Sequence, residues 1–204
     1  MQINDRLEKN PTTLQHKLLF LFKFIVYLYP EDKYLFSQPT VLLIMGVTGS
    51  GKSLIGEKLA QKLNFDFIDA DQYHTQLNKA KMSQGIPLTD EDRIPWLNDL
   101  ANMIKVRTKK GKNVIIACSA LKNAYRKLLL DAFEQSYILY LQGGYDLIAN
   151  RLANRKHEFM NSSLLPSQFQ ILEEPEQAIY LNAELSPDQI VKTICTELKH
   201  LKHM

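Results

Sequence analysis

Apolar residues gather in five short runs, and the stretches between them change to helical periodicity. The runs are Thr40-Val-Leu-Leu-Ile-Met45, Phe65-Asp-Phe-Ile-Asp69, Asn113-Val-Ile-Ile-Ala-Cys118, Ser136-Tyr-Ile-Leu-Tyr-Leu141 and Ala178-Ile-Tyr-Leu181. Near-continuous aliphatic runs of this length suit strands buried on both faces, as in parallel sheets. Between them, Leu54, Ile55, Leu59 and Leu63 recur at helical spacing, as do Trp96, Leu97, Leu100 and Ile104. Thr89 or Asp90 is the N-cap of that second helix, which the pattern carries to about Lys110. Residues 145–154 predict another helix, and Ser186-Pro187 opens the last with proline at its first position. Strands alternating with helices predict an α/β fold, a parallel five-stranded sheet flanked by helices and joined by right-handed crossovers.

The chain has 204 residues, 45% hydrophobic and 23% charged, which suits a single soluble domain with a substantial core. We divide it into an N-terminal extension, 1–39, and a domain, 40–204. A net charge of +3 without an arginine-rich run argues against nucleic acid as a partner. Cys118 and Cys195 lie far apart with no metal-ligand spacing, and read as reduced thiols of a cytoplasmic protein. In the extension, residues 18–29 are strongly apolar but carry Lys23. A spanning helix needs about 20 apolar residues, so no stable membrane insertion is expected. The following Pro30-Glu-Asp-Lys33 offers no small-residue cleavage site. A helix packed on the domain, a membrane-surface helix and an upstream start to a shorter natural protein all stay open.

Residues 46–53 read Gly-Val-Thr-Gly-Ser-Gly-Lys-Ser, between the first strand and its helix. Strand, G-x-x-x-x-G-K-[ST], helix is the context that makes such a loop a nucleotide phosphate site. Its glycines turn backbone N–H groups inward, and the helix N-terminus adds partial positive charge. ATP is therefore expected to contact Gly46, Val47, Thr48, Gly49, Ser50, Gly51, Lys52, Ser53 and Leu54. Lys52 would reach the β- and γ-phosphates, and Ser53 would ligate Mg²⁺. Asp69 and Asp71 close the second strand, at the sheet end where ligands collect. Asp69 is placed to hold Mg²⁺ through water, and Asp71 to accept a hydroxyl proton during phosphoryl transfer. A plain strand-end turn with Asp71 as a helix cap is the alternative.

The acceptor is expected to meet Asp71, His74, Lys81, Arg93, Lys122 and Arg126, with residues 72–95 as a helical acceptor-binding region. Taken alone, Arg93 reads more readily as a surface arginine and His74 as a helix cap, while Lys122 and Arg126 read equally as an exposed basic helix start. Arg151 and Arg155, four residues apart on one helix face, are expected at the nucleotide, and 155–166 as a lid. Such mobile arginines close over ATP and neutralise charge on the transferred phosphoryl group, which places Arg155 with Lys52 and Asp71 in the catalytic set.

Longer stretches around these residues resemble the gluconokinase family of small P-loop kinases. They are Phe67-Ile-Asp-Ala-Asp71 with His74, Lys81 to Arg93 with Pro95-Trp96-Leu97, and Ala117-Cys-Ser-Ala-Leu-Lys122 with Tyr125-Arg126. Further on come Arg151, Arg155-Lys156, Ser167-Gln-Phe169 and Leu172-Glu-Glu-Pro175. The resemblance spans about residues 40–200, and Lys81 to Arg93 is its most specific part. It implies ATP-dependent phosphorylation of D-gluconate at the 6-hydroxyl with Mg²⁺, hence gluconate utilization in carbohydrate metabolism, by a cytoplasmic homodimer. Two departures stand out: Glu158 where the family has His, and Thr75 where it has Pro. A kinase of another small hydroxy-acid, such as shikimate, and a nucleotide-binding protein without catalysis are the alternatives. The intact Lys52, Ser53, Asp69 and Asp71 argue against lost catalysis. A GTPase switch lacks support, because no Asn-Lys-x-Asp occurs and no Asp-x-x-Gly follows a strand.

Overall fold

The computed structural model describes residues 36–154 and 162–202. In chain order they form β1 (Val41–Met45), α1 (Lys52–Leu63), β2 (Asp66–Asp69), a 3₁₀ turn (Ala70–Tyr73), α2 (Gln76–Ser83) and α3 (Asp90–Thr108). Then follow β3 (Val114–Ala117), α4 (Asn123–Leu130), β4 (Ser136–Gln142), α5 (Tyr145–Ala153) and a 3₁₀ turn (Ser162–Leu164). The last elements are α6 (Leu165–Ile171), β5 (Ile179–Asn182) and α7 (Pro187–Lys202).

All four strand pairings are parallel, in the order β2-β3-β1-β4-β5. Leu43 of β1 stands opposite Ile116 on one side and Ile138 on the other. The chain therefore winds away from β1 in both directions. In open sheets of this kind the ligand crevice lies at that switch point, beyond the strands' carboxyl ends. The loop that follows Met45 occupies it. Strand β1 is fully buried along its length, as five consecutive apolar residues at the centre of a covered sheet must be.

One core layer joins Val41, Leu43 and Met45 to Ile68, Val114 and Ile116, and to Trp96, Leu97, Leu100 and Ile104 of α3. Those four form the buried stripe of α3 that the sequence periodicity predicts. Burying each such side chain contributes about 1.5–3 kcal/mol against the entropy of ordering the chain. A capping box starts α3: the Thr89 hydroxyl accepts the Asp92 N–H at 3.3 Å, and the Thr89 N–H donates to the Asp92 carboxylate at 2.9 Å. Close packing of α1 on β2 depends on Gly56. A Cβ there would lie 2.3 Å from the Phe67 ring.

Residues 72–95 are partly helical, through the end of the 3₁₀ turn, α2 and the start of α3, with a non-helical connection at 84–89. Helix α6 has no counterpart in the periodicity, being only seven residues long. Phe36, inside the stretch assigned to the extension, packs against Phe65 and Tyr137 at ring distances of 6.1 and 5.9 Å. The apolar run at 18–29 lies outside the described residues. Among the described residues, no helix is long and apolar enough to cross a membrane.

Candidate active site

The loop after β1 is shaped by what glycine permits. Gly46 has φ 145°, and a Cβ on it would sit 2.8 Å from the Leu141 carbonyl oxygen. Gly49 and Gly51 also take positive φ, turning the chain around a concave interior. Lys52 is buried there, its Nζ donating to the Val47 carbonyl at 3.0 Å. Ser50 Oγ is buried with no hydrogen-bond partner. Such an orphan needs a ligand oxygen or a water. Ser53 lies beside Lys52 in the first turn of α1, while Leu54 stands 41% exposed on that helix. Arg151 approaches from α5, donating to the Ser50 carbonyl at 3.5 Å and to the Ala183 carbonyl.

At the same end of the sheet, β2 closes on Asp69, and Asp71 follows in the 3₁₀ turn. Asp69 caps the 3₁₀ turn, its Oδ1 accepting the Asp71 N–H at 3.1 Å. The capping work thus falls to Asp69, and Asp71 turns its carboxylate to the cleft, 4.0 Å from His74 Nε2. Enclosure by the cleft raises the Asp71 pKa above the usual carboxylate value; Lys52 opposes that rise and Asp69 adds to it. The same enclosure lowers the Lys52 pKa, and Asp71 is the strongest opposing influence. Buried Lys52 and half-exposed Asp71 therefore act on each other across the cleft.

A cavity beside Asp71 is lined by His74, Arg93, Ser119, Tyr125 and Gln168, with Leu88, Trp96 and Leu164 among its apolar walls. His74 stacks on Trp96 at 3.8 Å between ring centres. Burial holds its pKa down to about 4, helped by Arg93 and Lys79, so the imidazole is neutral at neutral pH. Its Nδ1 is buried without a partner. Arg93 donates to the Leu88 carbonyl and lies 5.8 Å from the Tyr125 ring centre.

The other expected acceptor cations are engaged elsewhere. Lys81 Nζ contacts both Asp92 oxygens at 2.7 and 2.9 Å. Lys122 Nζ meets both Asp90 oxygens at 2.8 Å, and Asp90 also accepts the Tyr125 hydroxyl. Arg126, expected among the acceptor ligands, is instead a buried brace. Its guanidinium donates to the carbonyls of Ala120, Leu121 and Glu173 at 3.1, 3.1 and 2.9 Å. The reason lies in the loop after β3, where Ala120 takes φ 43° and turns carbonyls away from any ladder. Arg155, with Lys156 and Glu158, lies outside the described residues. Gln168 has no place among the residues read from the sequence. Its only signal there is the Ser167-Gln-Phe169 stretch, to which no chemistry attached.

A phosphate-shaped loop, a lysine inside it and a carboxylate facing the same cleft are what transfer of a terminal phosphoryl group to a hydroxyl requires. Fold and cleft together are those of a P-loop kinase. A family model described as "AAA domain" matches residues 41–172. "Probable gluconokinase" of Mus musculus is 42% identical over 181 residues, covering 79% of this chain and 98% of the mouse protein. Gluconokinase of Arabidopsis thaliana is 42% identical over 169 residues, covering 76% of this chain and 89% of its own. The crystal structure of a gluconokinase from Sinorhizobium meliloti 1021 is similar with a TM-score of 0.73 at 36% identity, covering 81% of this chain and 94% of that one. The chain belongs to the gluconokinase family.

Proposed function

We propose that the protein phosphorylates D-gluconate with ATP, giving 6-phospho-D-gluconate and ADP. The observation that carries the mechanism is buried Lys52 and the cleft-facing Asp71 acting on each other's charge, with the His74–Arg93 cavity beside Asp71. Asp71 takes the proton of the 6-hydroxyl as that oxygen bonds to the γ-phosphorus, and the bond to the ADP oxygen breaks. Lys52 and the loop amides stabilise the charge on the phosphoryl oxygens. Arg93 is the cation that lines the cavity, and it meets the gluconate carboxylate. Arg151 lies along the nucleotide, and Arg155 closes over it.

Mg²⁺ enters with ATP. Ser53 and Asp69 would hold it, a hydroxyl and a carboxylate suited to an ion that keeps several waters and phosphate oxygens as ligands. Among the described residues no group of three or more His, Cys, Asp or Glu forms a protein-only metal cage. Bound there, the ion would neutralise charge on the phosphates. The working form is a cytoplasmic homodimer, and residues 1–39 are an extension outside the kinase domain. Support for that division comes from the family match starting at residue 41.

A coupled ADP-release assay over gluconate, glucose and shikimate tests the reading. Gluconate should give by far the largest kcat/KM, because a site of buried polar partners discriminates against acceptors that leave them unpaired. Phosphorylation of glucose or shikimate as efficient as that of gluconate would overturn it.

A further inference from the structure

Gln168 bonds the phosphate loop and also lines the acceptor cavity. Its Oε1 accepts the Thr48 N–H at 2.7 Å, a bond between residues 120 positions apart. Its side chain lines the cavity with Asp71, His74 and Arg93. This bond fixes the orientation of the amide. A backbone N–H only donates, so the oxygen faces Thr48 and the NH₂ points away from the loop as a pure donor. The base of the side chain is equally well held. Leu165, at the start of the same helix, is buried with Val47, Leu121, Ile148 and Leu152, so α6 and the loop residue next to Thr48 share one apolar cluster.

Resting on gluconate as the acceptor, we propose that Gln168 is an acceptor-binding residue that couples acceptor occupancy to the phosphate loop. Its Nε2 donates to a hydroxyl oxygen of the bound hydroxy-acid while its Oε1 holds the Thr48 amide. A neutral donor suits a hydroxyl, whereas the Arg93 cation suits the carboxylate. A linear polyhydroxy acid loses water along its whole length on entering such a cavity, and each hydroxyl left unpaired there opposes binding. The same amide then touches the loop that binds one ligand and a hydroxyl of the other. Acceptor and nucleotide should therefore strengthen each other's binding.

Two variants of the full chain test this. Gln168→Glu keeps an oxygen for the Thr48 N–H but removes the donor; Gln168→Leu removes both at similar size. Gluconate affinity is measured calorimetrically with and without a non-hydrolysable ATP analogue, beside steady-state kinetics. The wild-type protein should bind gluconate more tightly with the analogue present. Both variants should raise KM for gluconate about tenfold or more. Gln168→Leu should abolish the mutual strengthening. Unchanged gluconate affinity in both variants, or a rise confined to KM for ATP, would overturn the proposal. A wild-type protein that binds no gluconate would instead overturn the acceptor assignment itself.

Discussion

The two walls of the cleft recognise their ligands by opposite means. The phosphate wall is one contiguous stretch, 46–53, whose backbone geometry sets the direction of its donors. The acceptor wall is assembled from the 3₁₀ turn after β2, α3, α4 and α6, and uses side chains. Much of its positive charge is already matched within the protein, Lys81 by Asp92, Lys122 by Asp90 and Arg126 by three carbonyls. Backbone recognition survives changes in surrounding charge. Side-chain recognition depends on which cations the protein's own acceptors leave for the ligand, and here Arg93 is the candidate that reaches the cavity.

The sharpest break of this comparison is on the phosphate side. Lys52→Ala should lower kcat by about 10²-fold or more, since its charge acts mainly on the transition state. Asp71→Asn should lower kcat to a similar degree while ATP affinity, measured by titration, holds. The raised pKa of Asp71 gives the sign of the pH dependence. The base works only when ionised, so wild-type kcat should climb with pH through that raised pKa and then level. Ionising a carboxylate whose folded pKa is raised costs stability, which is fully present below the unfolded pKa and lost as pH rises through the folded one. Asp71→Asn should therefore melt no lower than wild type at neutral pH. Near-normal turnover in Asp71→Asn with loss in Asp69→Asn would reverse the roles of the two acids.

Next in size is Arg93→Ala. KM for gluconate should rise about tenfold or more, with KM for ATP within about twofold. An equal rise in both constants would move Arg93 from the acceptor wall to the shared scaffold.

A smaller effect is expected at His74, where the two walls meet. Its folded pKa of about 4 lies below the ordinary 6.5. The unfolded chain takes up this proton first on acidification, so His74 subtracts stability progressively as pH falls from about 6.5 to about 4. Chemical denaturation of wild type and His74→Gln across that window should converge toward low pH. Parallel stability curves would show that the imidazole titrates as if exposed.

The phosphate wall was legible because it is local. Strand β1, the glycine loop and α1 lie in one unbroken stretch, and the Trp96, Leu97, Leu100, Ile104 stripe repeats within one helix. Helix α2 buries only Asn78 and Met82, so the expected helical region around it carries no apolar period, and α6 is too short for one. The fate of Arg126 turns on Ala120's positive φ and the carbonyl of Glu173, 47 residues away. Gln168 reaches Thr48 across 120 residues. No local pattern encodes such meetings; only the folded sheet order brings them about.

The smallest effects should come from the paired lysines, and they test the comparison most directly. Lys81 and Lys122 sit on elements around the cavity, and charge alone would make them acceptor ligands. Each is instead held by a carboxylate, Lys81 by Asp92 in the capping box of α3 and Lys122 by Asp90 in the helix's first turn. Those contacts lower the pKa of both acids and raise that of Lys122, so both acids are ionised at neutral pH. For either lysine to meet gluconate, it must first leave a partner already in contact. If the pairs stay closed, Lys81→Met and Lys122→Met should change KM for gluconate by no more than about threefold, against the much larger effect of Arg93→Ala. Asp90 is 47% exposed at its side chain and keeps the Tyr125 hydroxyl, so losing Lys122 leaves no buried unpaired charge. A tenfold or greater rise in KM in either variant would show that the pair opens when the acceptor binds. The acceptor wall would then recognise its ligand by exchanging partners rather than through Arg93 at the cavity wall.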